Sequence, residues 1–195
     1  IEAAGYDKAK DLLTYEVDIA HWDDPKISRL IEAGERNPRI RIRMVDKSRF
    51  DEEARIILNL LNDAWSENWG YIPLTEAEIA YAGKKLKPII YNELVRIAEY
   101  DGEPVAFMIT IPDVNELIRD LNGKLFPFGW AKLLWRLRKP GTERARVPLM
   151  GDAKKLHGTR LASQLAFMLI ESIRRDAVGT YGVKTGEFGW ILEDN

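Results

Sequence analysis

A chain of 195 residues, 46% of them hydrophobic and 31% charged, carries enough apolar surface for one full core and one extra segment. Its net charge of −2 is not that of a nucleic-acid-binding surface, and having no cysteine excludes disulfides, thiolate metal sites and a cysteine nucleophile. No apolar run approaches the roughly 18 residues that span a bilayer, and Ile1–Tyr6 lacks a signal-peptide layout, so the expectation is a cytoplasmic protein with no stable membrane insertion, no nucleic-acid partner and no metal.

In chain order, Ile1–Val17 reads as a helix end, a turn at Gly5 and a strand around Leu12–Val17. Asp24-Pro25 starts a helix, with Asp as cap and Pro at the first helical position, and that helix ends near Gly34. Arg36–Arg39 is a linker. Ile40, Ile42 and Met44 then alternate with Arg39, Arg41 and Arg43, the period-two pattern of a half-buried strand. Ile57, Leu58, Leu61 and Trp65 lie at helical spacing within Asp51–Trp65, and Thr75 with Glu78 forms a capping box for Thr75–Leu86. Leu94–Tyr100 and Pro104–Ile111 are strands joined by Asp101-Gly102, a dipeptide suited to a type I′ hairpin. Val114–Leu121 and Trp130–Arg138 read as helices, Arg144–Met150 as a strand, Leu161–Ala177 as a helix and Lys184–Leu192 as a last strand. A hairpin followed by a crossover helix implies an α/β (α+β) fold with a mixed, mostly antiparallel sheet flanked by helices. Residues 1–39 are expected to be a separate N-terminal segment and 40–195 the main domain.

Chemistry concentrates after Val147. Pro148 has no N–H to give a ladder, so it marks either an edge strand or a bulge that would splay this strand from its neighbour. Beyond it, Gly151–Ala162 leads into a helix whose first turn offers unpaired N–H groups, a natural seat for phosphate. Arg160 opposes the bare helix dipole there, and Lys154, Lys155 and His157 add positive charge at the same end, which suits a bound anion. As residues alone, the same run also reads as a solvated charged loop.

The stretch His157-Gly158-Thr159-Arg160-Leu161-Ala162 resembles the acetyl-coenzyme A motif of the GNAT N-acetyltransferases, Gln/Arg-x-x-Gly-x-Gly/Ala. Ala162 matches the last position, His157 stands where Arg or Gln is usual, and Arg160 replaces the central Gly. The order of elements from Ile40 to Asn195 is also similar to that family's. The resemblance implies acetyl-coenzyme A as co-substrate, held by the amides of Gly158, Thr159, Arg160, Leu161 and Ala162 and by His157 and Asn195. It further implies backbone N–H groups near Leu149 and Met150 polarising the thioester, and an amine acceptor in a cleft lined by Trp69 and Tyr71. Glu187 and Glu193 are the candidate bases. Relative to the family pattern the chain stops before the last helix and strands, and Ala3–Tyr15 is similar to the closing hairpin of a GNAT lobe. A fragment of a longer or tandem protein is therefore expected, with a second lobe or a homodimer as partner; Ile1–Val17 is either the tail of a preceding lobe or a segment that fills the sheet position of the missing strands.

Leu125–Lys139 combines Phe126, Phe128, Trp130, Leu133, Leu134, Trp135 and Leu137 with a basic end. It reads as a lid, a core insertion, a dimer contact or a membrane-surface helix. Three functions stay open: an active N-acetyltransferase, a silent lobe that binds acyl-coenzyme A or supports a partner lobe, and an interaction module built on residues 125–139.

Overall fold

The computed structural model describes residues 2–193. Its strands are β1 (Leu12–Asp18), β2 (Ile40–Met44), β3 (Val95–Tyr100), β4 (Glu103–Pro112), β5 (Arg144–Asp152) and β6 (Thr185–Leu192). Its α-helices are α1 (Pro25–Glu35), α2 (Phe50–Ala64), α3 (Glu76–Leu86), α4 (Val114–Ile118), α5 (Gly129–Arg138) and α6 (Arg160–Tyr181). The strands form one six-stranded sheet in the order β1-β6-β5-β4-β3-β2. Only β5 and β6 run parallel, joined by the crossover helix α6; the other four pairs are antiparallel.

Local sequence accounts for the element ends. Asp24 caps α1 by accepting from the amides of Lys26 and Ile27, and the capping box of Thr75 and Glu78 forms as the spacing predicts. The β3–β4 hairpin turns through Asp101 and Gly102, whose φ angles of 54° and 83° are the left-handed pair a type I′ turn requires.

Two apolar layers sandwich the sheet. On one face α6 buries Leu165, Leu169 and Ile173 against Ala98, Met108, Ala145 and Val147. On the other, α2 and α3 bury Ile57, Leu58, Leu61 and Ile79 against Ile97, Phe107 and Ile109. Residues 12–35, part of the expected N-terminal segment 1–39, pack on the same sheet. β1 forms the outer edge beside β6, and the carbonyl of Leu30 in α1 accepts from Gln164 Nε2 on α6 at 3.0 Å.

Candidate active site

β5 and β6 start together and then part. Their parallel register runs from Arg144 opposite Thr185 to Val147 opposite Phe188 and stops there. On its other side β5 stays paired with β4 up to Asp152, but the register slips so that Val147 and Pro148 together face Thr110. That is a β-bulge at Pro148, and it bends β5 away from β6 where the ladder ends. The gap opens into a cleft of ≈ 590 Å³. Pro148–Asp152 form one wall and Phe188–Leu192 the other, with Leu12 from β1 and Trp65, Trp69 and Tyr71 from the end of α2 and the loop after it.

The backbone on the β5 wall is set by the strand's phase. The Ala153 amide donates to the Val105 carbonyl at 2.7 Å, and alternate residues of an antiparallel ladder bond to the same neighbour. Leu149 and Gly151 therefore bond to β4, while the main-chain groups of Met150 and Asp152 face the gap. Consistent with that phase, the Met150 carbonyl accepts from Trp65 Nε1 at 3.1 Å. Of the two amides expected to polarise a carbonyl, only that of Met150 is available; Leu149 is turned the other way by the two-residue repeat. Gly151 is required for close approach, because a Cβ there would lie 2.9 Å from Ala64 Cβ and 3.3 Å from Phe107 Cε1.

At the upper end of the gap, α6 presents its first turn. The amides of Gly158, Arg160 and Leu161 have no protein acceptor among the described residues. Two others expected in the same cradle are already occupied: Thr159 N–H donates to the Leu156 carbonyl at 3.0 Å, and Ala162 N–H to Thr159 Oγ1 at 3.2 Å. Thr159 is thus the helix cap. The positive charge is also thinner than composition suggests. Lys154 pairs with Glu67 at 2.6 Å and Lys155 with Glu103 at 3.0 Å, whereas Arg160 has no carboxylate partner among the described residues. His157 Nε2 donates to the Asp152 carbonyl at 3.1 Å, tying the loop to the strand end. Asp152 Oδ2 is buried without a hydrogen-bond partner and lies 4.0 Å from His157 Nε2. Burial raises its pKa, and the nearby imidazole opposes that rise.

The two candidate bases fall in different places. Glu187 sits on β6 at the foot of the gap, its Oε1 3.2 Å from Arg146 Nε, and the Arg146 guanidinium lies 5.4 Å from the Trp190 ring. Glu193 is at the outer edge, where it accepts from Lys8 Nζ at 2.6 Å and from the Asp11 amide at 3.2 Å. Those bonds hold its carboxyl below the usual range and direct it away from the cleft. Trp69 and Tyr71 both line the cleft. Tyr71 donates to Asn62 Oδ1 at 2.7 Å and packs edge-on against Trp65, whereas Trp69 is exposed. Asn195 lies outside the described residues. Sequence reasoning missed Trp65, Phe188 and Trp190 as cleft walls. The pattern of α2 gave Trp65 a core role, and the aromatic residues of β6 have meaning only once the splay is known.

A GCN5-related N-acetyltransferase from Sphaerobacter thermophilus superimposes on this chain with a TM-score of 0.58 at 14% identity, covering 96% of this chain and 44% of that one. The chain has the GNAT fold. The C-terminal DUF2156 domain of an Agrobacterium fabrum protein assigned as a lysylphosphatidylglycerol synthetase matches it with a TM-score of 0.54 at 12% identity, covering 92% and 48% of the two chains. In sequence, the chain is 43% identical over 196 aligned residues to a Caulobacter vibrioides protein named bacterial ceramide synthase. That match covers all of this chain and 50% of the relative, so the chain spans about half the relative's length. No family profile matches the sequence. Among the described residues no helix is long and apolar enough to cross a membrane. Within the GNAT fold, the splayed pair is β5 and β6 and the loop entering α6 is the segment that the coenzyme A motif resembles.

Proposed function

We propose that this chain is the acyl-transfer part of an enzyme that moves an acyl group from an acyl-coenzyme A to the amine of a lipid, a long-chain amino alcohol. The reading rests on the β5–β6 gap together with the three unpartnered amides of Gly158, Arg160 and Leu161, in the loop and first helical turn that follow β5 and that His157 ties to the Asp152 carbonyl at 3.1 Å. A diphosphate needs N–H donors and positive charge, which this turn and Arg160 offer, and a pantetheine arm needs a narrow slot with free main-chain groups. His157 serves as a loop anchor beside the diphosphate. The Met150 amide is the donor suited to a developing oxyanion at the thioester carbonyl.

The amine attacks the thioester carbonyl, the new C–N bond forms, the C–S bond breaks, and the coenzyme leaves as the thiol with the proton the amine gives up. An amine with a pKa near about 10 is mostly protonated at neutral pH, so a carboxylate at the foot of the gap is useful. Glu187, although paired with Arg146, is the candidate through an intervening water because it lies on β6 where the ladder to β5 ends; Glu193, held by Lys8 and the Asp11 amide at the outer edge, is set aside. Trp69, Tyr71 and Trp190 would border the acceptor.

The lipid acceptor is favoured over a small polar amine on two grounds. The relative at 43% identity is named for ceramide formation, and the cleft walls are mostly aromatic and aliphatic. Acetyl transfer to a small molecule, the expectation from the motif alone, has neither support. Free thiol release and product mass should be followed with acetyl- and palmitoyl-coenzyme A against sphinganine-type amines and a panel of soluble amines. Amide product from palmitoyl-coenzyme A and the long-chain amine is expected. Thiol release with soluble amines alone would overturn the lipid reading. Coenzyme A binding with no amide product from any acceptor would favour a silent lobe.

A further inference from the structure

The strongest unexplained surface is the knob formed by residues 124–139. Between Asp120 and Glu143 the chain has no acidic residue but carries Lys124, Lys132, Arg136, Arg138 and Lys139, in a chain whose overall charge is −2. The same knob holds a concentration of exposed aromatic side chains: Phe126 is 83% exposed, Phe128 78% and Trp135 72%.

This exposure belongs to an ordered structure. Asp120 accepts from both Lys132 and Arg136, and Arg136 also donates to the Leu117 carbonyl. Tyr91 donates to the Leu137 carbonyl at 2.6 Å, which pins the end of α5 to the body. Trp130 Nε1 donates to the Pro127 carbonyl at 2.9 Å and closes the loop before the helix. Along α5 the helical repeat turns Leu133 and Leu137 inward and places Trp130, Leu134 and Trp135 outward with Arg138 among them. Two of the five cations, Lys132 and Arg136, share the single carboxylate of Asp120. Lys124, Arg138 and Lys139 have no carboxylate partner among the described residues and flank the apolar tip.

We propose that this knob seats the protein on an anionic lipid bilayer, with Phe126, Phe128 and Trp135 in the headgroup–acyl boundary and Lys124, Arg138 and Lys139 against lipid phosphates. Trp and Phe beside Lys and Arg that have no carboxylate partner among the described residues is the side-chain chemistry of an interfacial anchor. A partner protein's apolar groove would be served by the aromatic residues but would leave the three free cations uncompensated. Placement agrees. The knob adjoins the start of β5, while the α6 turn lies at the other end of that strand, about 25 Å away at the rise of an extended chain. A bilayer under the knob would leave the α6 end facing water, away from anionic lipid. The anchor stands independently of the acyl-transfer reading, since it requires no activity.

Binding of the full natural polypeptide to sedimenting vesicles of phosphatidylcholine, with and without 30 mol% phosphatidylglycerol, should be compared with that of two variants. One is Phe126→Ser/Phe128→Ser/Trp135→Ser and the other Lys124→Glu/Arg138→Glu/Lys139→Glu; thermal melts confirm folding of each. Binding to anionic vesicles is expected to weaken at least about tenfold in both variants, and binding of the natural sequence to fall with salt. A bromolipid should quench its tryptophan emission, and Trp135→Phe should remove most of that quenching. Unchanged binding in both folded variants would overturn the proposal, as would absence of binding by the natural protein. So would a mass measurement showing that the apolar substitutions convert a dimer to monomer without altering vesicle binding, which would assign the knob to a second copy.

Discussion

Gly151→Ala should destabilise the protein and disturb the cleft together, because one added methyl meets a helix that has little room to yield. The new Cβ would sit 2.9 Å from Ala64 Cβ, 3.3 Å from Phe107 Cε1 and 3.6 Å from Trp65 Nε1. Ordinary carbon contacts begin near 3.5 Å, so the last turn of α2 must move by several tenths of an ångström or more. Overpacking of this kind costs about 1–3 kcal/mol. At roughly 2.1 cal/mol/K of unfolding entropy per residue, a chain of this size should lose about 2–7 °C in Tm. The same movement draws Trp65 Nε1 from the Met150 carbonyl, now 3.1 Å away, so binding of acyl-coenzyme A should weaken in step. A double-mutant cycle with Ala64→Gly isolates the cause. Removing the opposing methyl costs about 1 kcal/mol alone, from helix propensity, but should recover most of the Gly151→Ala loss. Strict additivity of the two, measured by urea unfolding, would refute the steric account.

Asp152→Asn should flatten the pH dependence of stability. Burial raises the Asp152 pKa in the folded state, so the native protein holds a proton the unfolded chain has already released. That contribution is fully present below the unfolded carboxylate pKa and lost as pH rises through the higher folded value, so the variant should gain on the parent from pH 3 to pH 7 in denaturant titrations. Arg160→Ala should weaken coenzyme A binding roughly tenfold and reduce its salt dependence, read by calorimetry, with little effect on an acceptor analogue. Glu187→Gln should lower kcat by about a hundredfold or more and leave KM for the thioester unchanged; an unaltered kcat would exclude it as base. Glu53→Gln should cost about 2–3 kcal/mol by urea unfolding, because Glu53 is only 2% exposed and accepts from Arg43 Nη1 at 2.8 and 2.9 Å. Arg39→Ala, at the exposed pair with Asp101, should leave the unfolding midpoint where it is.

Local chemistry made much of this fold readable. Asp24-Pro25, the Thr75–Glu78 box and Asp101-Gly102 act through neighbours within four residues, and each forms where the residue types place it. The ends of α6 and β5 extend a turn or a residue pair past the apolar pattern, since glycine and polar or mixed residues at an element's end leave no periodic trace. What stayed hidden depends on distant pairing. Residues 12–17 read as a strand, yet their antiparallel partner lies some 170 positions later in β6, so no local signal names that partner or puts Leu12 in the cleft wall. The charges of Lys154 and Lys155 suggested a phosphate seat, but Glu67 and Glu103 come from other elements and hold them. Glu193 carried a carboxylate at a plausible position, and only the three-dimensional structure shows Lys8 against it. The phase of β5, which turns Met150 toward the gap and Leu149 away, is likewise set by the ladder to β4 and not by either side chain.

Pro148 ties these strands of argument together. One residue without an amide hydrogen sits where β5 has β4 on one side and loses β6 on the other. The bulge it occupies sets two residues against Thr110, whose hydroxyl is left buried without a partner. The split also strips Met150 and Asp152 of a neighbouring strand, and the protein restores only part of what is lost: Trp65 returns a donor to the Met150 carbonyl and His157 one to the Asp152 carbonyl. Their amides are left facing the gap. A fold that only had to be stable would continue the β5–β6 ladder to Asp152; among the described residues, the main-chain groups of Met150 and Asp152 that lose β6 lie instead on the wall of the cleft, between the bulge and the loop that enters α6.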